Sequence, residues 1–453
     1  MKLLKVGISG VRGIVGESMT PKLAMDFAAA FGTYIGGRTV LLGRDTRISS
    51  PLLRAACLAA LTSTGCDVVD LGVCPTPILQ YSTRKGGRRL RARGGVSITA
   101  GHNDIAWNAL AFIGPEGTSL NVFQGQEVLD IYHLGKFRKA PVGAIGRVRE
   151  DNGQAGRYFA SLARFCRAGE IRRAGLKVVI DGVSGAAAPY LAPFAEALGF
   201  ALVPVNDEPN GFFPHDPEPR PRNAQQVVAV IKAVGAQAGF LLNSDASRVS
   251  VVAEDGEPLS EEYTFPLVAN DYLRSHPGPV VANFSTSRMI EDVARARNCP
   301  LIRTKVGQSY AIQALLQEGG VLAGEGSGGV AAAAFQPAFD AFLTMGLVLG
   351  VMARTGKPLS QLAGELPRYH IVKEKIHCTP ARIHSIVDEV RGHFSGHDVD
   401  TSDGLRVEDR SGWVKVRTSG TEPMIRVIAE DLDQEKARER ADEVIRFITP
   451  LVQ

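Results

Sequence analysis

TVLLGRDTRISSPLLRAACLAALTSTGCDVVDLG, residues 39–72, reads as strand, helix, strand. Residues 39–45 are a short apolar run leaving through a glycine, 50–65 carry apolar residues at helical spacing, and 66–72 form a second run ending on glycine. GGVSITA (94–100) supplies a third strand, with Val and Ile close enough together to be buried. Strand, helix and strand joined by glycine-rich exits make a βαβ pattern.

The pattern restarts twice. Residues 175–206 read as strand, glycine loop, helix and strand, and 238–256 as strand, polar turn and strand. A third round holds 278–298, the loop VLAGEGSGGVAAA (321–333) and a buried helix at 338–353. The last 85 or so residues differ: a strand at 369–378, a helix at 381–394, strand–loop–strand at 413–430 and a charged amphipathic helix at 434–448. The expected fold class is α/β, three related units with mixed sheets followed by a C-terminal α+β unit around a central cleft. The breaks fall to give 1–145, 146–256, 257–368 and 369–453.

Composition excludes several classes. A chain of 453 residues exceeds one hydrophobic core. Its 51 Lys+Arg against 47 Asp+Glu leave a formal +4, no electrostatic footprint for nucleic acid or a membrane surface. The longest apolar segment, near 342–353, is interrupted by Gly346 and Gly350 and is shorter than the roughly 20 residues of a membrane span. Six scattered cysteines without a CxxC pair, and no secretory leader pattern, point to a reducing cytoplasm.

Six segments carry chemistry-bearing residues. In RTSGTEP and the following Ile425–Arg426, Ser419, Gly420 and Thr421 offer hydroxyls and a tight turn, and Arg417 and Arg426 add forked donors. That set suits a phosphate, against the alternative of a polar β-turn with solvated arginines. GEGSGG (324–329) sets Glu325 and Ser327 two residues apart, where they bracket vicinal sugar hydroxyls or simply sit in a glycine-rich turn. TAGHNDIAWNALAF (99–112) holds His102, Asn103, Asp104 and Asn108; His102 is a general acid/base, a phosphate donor or a structural turn histidine. NSDASR (243–248) has the placing of a metal loop but one carboxylate, Asp245, with Asn243 and Ser247 as neutral oxygens, so the residues favour an Asp245–Arg248 pair over Mg²⁺. GRDTR (43–47) groups Arg44, Asp45 and Arg47, to pair internally or steer an anion, and SGVRG (9–13) places Arg12 between glycines.

Together these segments resemble the α-D-phosphohexomutase family, which includes phosphoglucomutases, phosphomannomutases and phosphoglucosamine mutases. GISGVRG (7–13), GRDTR, CPTPIL (74–79), FFPHDPEP (212–219), GEGSGG and RTSGTEPMIR follow the family order along essentially the whole chain. The resemblance implies four domains around one cleft and a phosphoserine that exchanges its phosphoryl group with a sugar phosphate. It also implies Mg²⁺ on three aspartates, a phosphate loop, and a Glu/Ser pair reading the sugar. Arg12, Arg44, Asn103 and Arg248 become further cleft residues.

The reacting positions depart from that pattern. Gly101 stands where the family has its phosphoserine, Ala111 where it has a lysine, and Gly329 where the sugar loop ends in histidine. Asn243, Asp245 and Ser247 keep one of three metal carboxylates. Without the dication three crowded aspartates repel, so these losses belong together. The expectation is a non-catalytic phosphosugar-binding, regulatory or partner subunit with no cofactor. It binds a hexose phosphate, with an active mutase or another protein as possible partner, and is a monomer or homodimer in the cytoplasm. The alternatives are a divergent mutase using His102, with Mg²⁺, or a structural protein retaining the fold. Ser97 and Thr99 share one strand parity and do not reach beyond the strand end.

Overall fold

The computed structural model describes residues 4–7, 9–85, 90–379, 382–418 and 424–452, without the side chains of 383 and 384. It consists of three α/β/α units and a C-terminal α+β unit, each built on its own sheet.

One strand order recurs in the first three. In the first sheet Val40–Arg44 lies between Val68–Val73 and Gly94–Ile98, both parallel to it, and Trp107–Ile113 returns antiparallel beside Gly94–Ile98. In the second, Lys177–Asp181 lies between Ala201–Val205 and Ala238–Leu242, with Val249–Val252 returning antiparallel. In the third, Val280–Asn283 lies between Leu301–Thr304 and Leu322–Glu325, with Gly329–Ala332 returning antiparallel. The reversal between third and fourth strands is thus 99–106 in the first unit, 243–248 in the second and 326–328 in the third. These are the segments singled out by their chemistry.

Residues 321–333, expected as a loop, form a hairpin, since small and apolar residues on both sides of the tip are buried against the third core. The first sheet is also longer than the repeat requires. Leu4–Gly7 and Gly10–Ile14 form an antiparallel hairpin that joins Trp107–Ile113, so Arg12 stands on a strand and not in a loop. Gly10 permits the close approach: its φ is +152° and a Cβ there would fall 2.0 Å from the Leu110 carbonyl oxygen. At the other edge Val148–Glu150 pairs in parallel with Val68–Asp70, beyond the expected break at 145.

Helix starts follow local chemistry. Thr20 caps Pro21–Ile35, with proline at the first turn, and Asn121 and Gln124 form a reciprocal capping box on Val122–Leu134. The buried helix runs Ala341–Thr355, starting three residues later than expected because Asp340 caps it through the Leu343 N–H. It closes on Gly356 in the left-handed region. Phe342 on this helix is fully buried against Phe159 and Phe194, with ring centroids 5.3 and 5.1 Å apart, joining the second and third units. Truncating such a ring costs about 3–5 kcal/mol.

The C-terminal unit is a five-stranded antiparallel sheet, His370–His377, Met424–Asp431, Gly412–Thr418, Leu405–Glu408 and Val399–Asp400 in spatial order. Its own core surrounds Val416, Ile425 and Val427, and Gln434–Ile448 packs against the sheet. No helix among the described residues is long and apolar enough to cross a membrane. All six cysteines are free thiols.

Candidate functional site

The site is organised by a buried ion pair. Arg47 and Asp45 are almost completely excluded from solvent and meet at 2.9 Å, which is the internal pairing that GRDTR allowed. A buried guanidinium needs its remaining donors satisfied. Arg47 meets that need by donating to the backbone carbonyls of Gly101, Asn103, Asp104 and Trp107, so one side chain shapes the reversal 99–106. Asp45 accepts from Thr99 and Ser50, and Thr99 Oγ1 accepts the Gly101 N–H. Thr99 is therefore part of this scaffold, Ser97 pairs with the Thr76 hydroxyl, and Asn108 donates to Ser49 and Ser50.

Gly101 has φ +57°, in the left-handed region. A Cβ at this position would meet open space up to Asp245 Oδ2 at 3.6 Å and Asn243 Nδ2 at 3.8 Å. Position 101 thus faces the loop 243–248 directly. That loop is closed on itself. Asp245 Oδ1 accepts from Asn243 Nδ2 at 2.8 Å, from the Ser247 hydroxyl at 2.7 Å and from the Ser247 N–H at 3.1 Å, and Oδ2 accepts from Thr76 at 3.2 Å. The expected Asp245–Arg248 pair does not form among the described residues. Asp245 is instead occupied by neutral donors, and the Arg248 N–H donates to Asn243 Oδ1. Among the described residues no group of three or more His, Cys, Asp or Glu is placed to hold a metal ion.

Side chains from all four units line one cavity of about 350 Å³: Arg12 and His102, Arg220 and Arg248, Glu325 and Ser327, and Lys373, Arg417 and Arg426. An adjoining cavity of about 350 Å³ shares Arg12, His102 and Arg248 and extends past Gly101, Ala111 and Asp245. Arg12 is fixed by donating to Asn103 Oδ1 at 2.9 Å. Arg44 does not reach either cavity; it donates to the Asp45 carbonyl and lies near Arg54 and Asp70. Burial first, then the arginines at 248, 12, 426 and 220, hold the His102 pKa well below its ordinary value, so the imidazole is neutral.

Glu325 is buried and accepts the Gly307 N–H at 3.1 Å, while the Ser327 hydroxyl donates to its other oxygen at 3.4 Å. At Gly329 a Cβ would sit 2.4 Å from the Phe339 ring, so Phe339 fills the space a larger side chain would need. Arg417 and Arg426 are register partners on adjacent antiparallel strands and stand side by side. Burial, ahead of nearby charges, lowers the Arg417 pKa, and its Nε is buried with no partner among the described residues. Ser419, Gly420 and Thr421 lie outside the described residues.

Lys373 and Arg220 were not foreseen. Arg220 directly follows the quoted segment 212–219, so its position was available as a signal. Lys373 was hidden in an alternating strand. It bridges Glu261 and Glu262 of the third unit and donates to the Gly326 carbonyl, tying the C-terminal sheet to the 326–328 tip.

Three sheets delivering strand reversals, and a fourth delivering Lys373, Arg417 and Arg426 from its strands, to one arginine-lined cleft define the class of protein. Models of the phosphoglucomutase/phosphomannomutase α/β/α domains I, II and III match residues 3–139, 156–256 and 260–369, and that of the C-terminal domain matches 372–447. The chain is 35% identical to a phosphoglucomutase/phosphomannomutase of Thermococcus kodakarensis over 98% of each. It is 34% identical to a probable phosphoglucosamine mutase of Methanopyrus kandleri, over 99% of this chain and 98% of that one. The crystal structure of a phosphoglucomutase/phosphomannomutase family protein from Burkholderia thailandensis superposes with a TM-score of 0.84 at 28% identity, covering 98% of this chain and 97% of that one. The chain belongs to the phosphoglucomutase/phosphomannomutase family.

Proposed function

We propose that the chain binds a hexose phosphate in this cleft without running the phosphoserine reaction, as a phosphosugar-binding, regulatory or partner subunit. The observation that carries this reading is the pairing of Gly101 with the loop it faces. The position aimed at Asp245 has no side chain to phosphorylate, and Asp245 is engaged by four donors from Asn243, Ser247 and Thr76. One carboxylate so occupied, with two neutral neighbours, is a poor match for Mg²⁺, which favours several carboxylate or phosphate oxygens in octahedral array.

Binding needs none of the lost groups. Arg417 and Arg426 hold a phosphate with forked, charge-assisted donors, Glu325 and Ser327 take sugar hydroxyls, and Arg12, Arg220 and Arg248 balance further anionic charge in the same cavity. Losing one preorganised electrostatic group typically lowers a rate by about 10²–10³, and Gly101, Ala111 and the changed loop remove several. Calorimetry with glucose, mannose and glucosamine phosphates tests this reading. It predicts saturable binding of one of them, and no binding by any would end it.

A second reading is favoured by one observation. His102 is neutral, lines both cavities and stands beside Gly101. A neutral imidazole can accept a phosphoryl group, which would make the chain a divergent mutase. Turnover that survives His102→Ala removes it from that role.

A further inference from the structure

A third cavity, of about 500 Å³, opens away from the cleft between the second and third units. Two glycines of the helix Ala341–Thr355 shape its floor. A Cβ at Gly346 would lie 2.7 Å from Cys166 Sγ, and one at Gly350 3.7 Å from the Cys166 carbonyl oxygen. These are the glycines that interrupt the apolar segment, and the cleft gives them no role.

The rim is cationic. Arg164, Arg167, Arg274 and Arg354 line it against one carboxylate among the described residues, Asp271. Arg354 pairs with Asp271, and both Arg354 and Arg167 lie 3.7 Å from Glu170. Arg164 and Arg274 form no ion pair among the described residues. Tyr272 lines the wall at 5% exposure, its ring stacked on His276 at 4.3 Å. Its hydroxyl is buried with no hydrogen-bond partner among the described residues.

We infer that this cavity is a second ligand site, for a phosphorylated small molecule with an apolar or planar body, of the nucleotide class. Arg164, which donates only to the Ser161 hydroxyl at 3.2 Å among the described residues, and Arg274 have no ion-pair partner there, and such arginines suit phosphate oxygens. Val268, Leu347 and Val351 supply the apolar lining, to which Tyr272 adds. The site is one helix away from the cleft. The helix Ala341–Thr355 begins where the Ala341 N–H donates to the Ala246 carbonyl in the loop 243–248, and the preceding Asp340 N–H donates to the Val330 carbonyl beside the sugar loop, each at 3.0 Å. Occupancy at one end of the helix therefore bears on both loops at the other, as an effector would.

Titration calorimetry on the full chain, with ATP and inorganic pyrophosphate as separate probes, tests this. ATP is expected to bind at one site, more tightly than pyrophosphate, and Arg164→Ala/Arg274→Ala should weaken it by about tenfold or more. Arg417→Ala should leave ATP binding intact. Three results would overturn the inference. They are no ATP binding, ATP binding lost in Arg417→Ala but kept in the double variant, or pyrophosphate binding as tightly as ATP.

Discussion

The hydroxyl of Ser244 donates to the carbonyl of Gly101 at 2.6 Å, across the boundary between the first and second units. Arg47 donates to the same carbonyl at 3.0 Å. The two donors hold the reversal 99–106 against the loop 243–248, although no side chain at position 101 takes advantage of it. The two segments are thus held together around a position that carries only hydrogen. Ser244→Ala should cost about 1 kcal/mol or somewhat more, read by denaturant unfolding, because the Gly101 carbonyl keeps its bond from Arg47.

Gly101→Ser meets no clash, the nearest atom to its Cβ being 3.6 Å away, but it places an L-residue at φ +57°. The expected cost is about 1–2 kcal/mol of stability. Turnover should stay at background in a mutase assay, since the loop opposite still carries a single, fully engaged carboxylate.

Arg47→Ala leaves Asp45 buried without its counter-ion and removes one donor from each of four backbone carbonyls. Breaking a buried pair from one side costs about 3–5 kcal/mol, so this variant should unfold at clearly lower denaturant than Arg44→Ala, whose guanidinium holds a single carbonyl.

Arg417→Ala should weaken hexose phosphate binding by about tenfold or more in calorimetry, the worth of a lost charge-assisted contact. The melting temperature should change little, because the side chain faces the cleft and the strand pairing around it is backbone.

His102 sets a pH dependence. Its folded pKa lies well below the ordinary 6.5, through burial first and the four arginines second. Above 6.5 neither folded nor unfolded chain binds this proton and the contribution to stability is complete. As pH falls from 6.5 toward the depressed value only the unfolded chain is protonated, and stability is lost. His102→Gln should therefore show a shallower loss of stability below pH 6.5, with the two curves running parallel above it.

Much of this was legible in the chain. Buried parallel strands read as apolar runs, so Val40–Arg44, Val68–Val73 and Gly94–Ile98 stood out, and the restart of that pattern foretold related units. Residues 99–112, 243–248 and 324–329 each drew attention separately by composition. That all three occupy the same reversal between third and fourth strands was not readable, because it depends on which strands pair. The hairpin 4–14 was missed for a similar reason: its glycines look like loop punctuation until Gly10 is seen pressed against Leu110. The partner of Asp245 was misjudged because charge favoured Arg248, whereas the tight turn gives its Oδ1 to the neutral donors of Asn243 and Ser247, and Oδ2 to Thr76 from 169 residues away. Arg44 and Arg47 share a motif but take different partners, Arg44 the Asp45 carbonyl and Arg47 the carbonyls of Gly101, Asn103, Asp104 and Trp107, and only packing separates them.

The most direct test of the central claim is phosphorus NMR on protein purified free of host mutases. It is incubated with Mg²⁺, a hexose 1-phosphate and catalytic hexose 1,6-bisphosphate, over glucose, mannose and glucosamine forms. The account predicts that one substrate resonance broadens or shifts and that no 6-phosphate accumulates above a protein-free control. Accumulation of the 6-phosphate, abolished by boiling the protein, would contradict it and put a phosphoryl carrier other than residue 101 in the cleft.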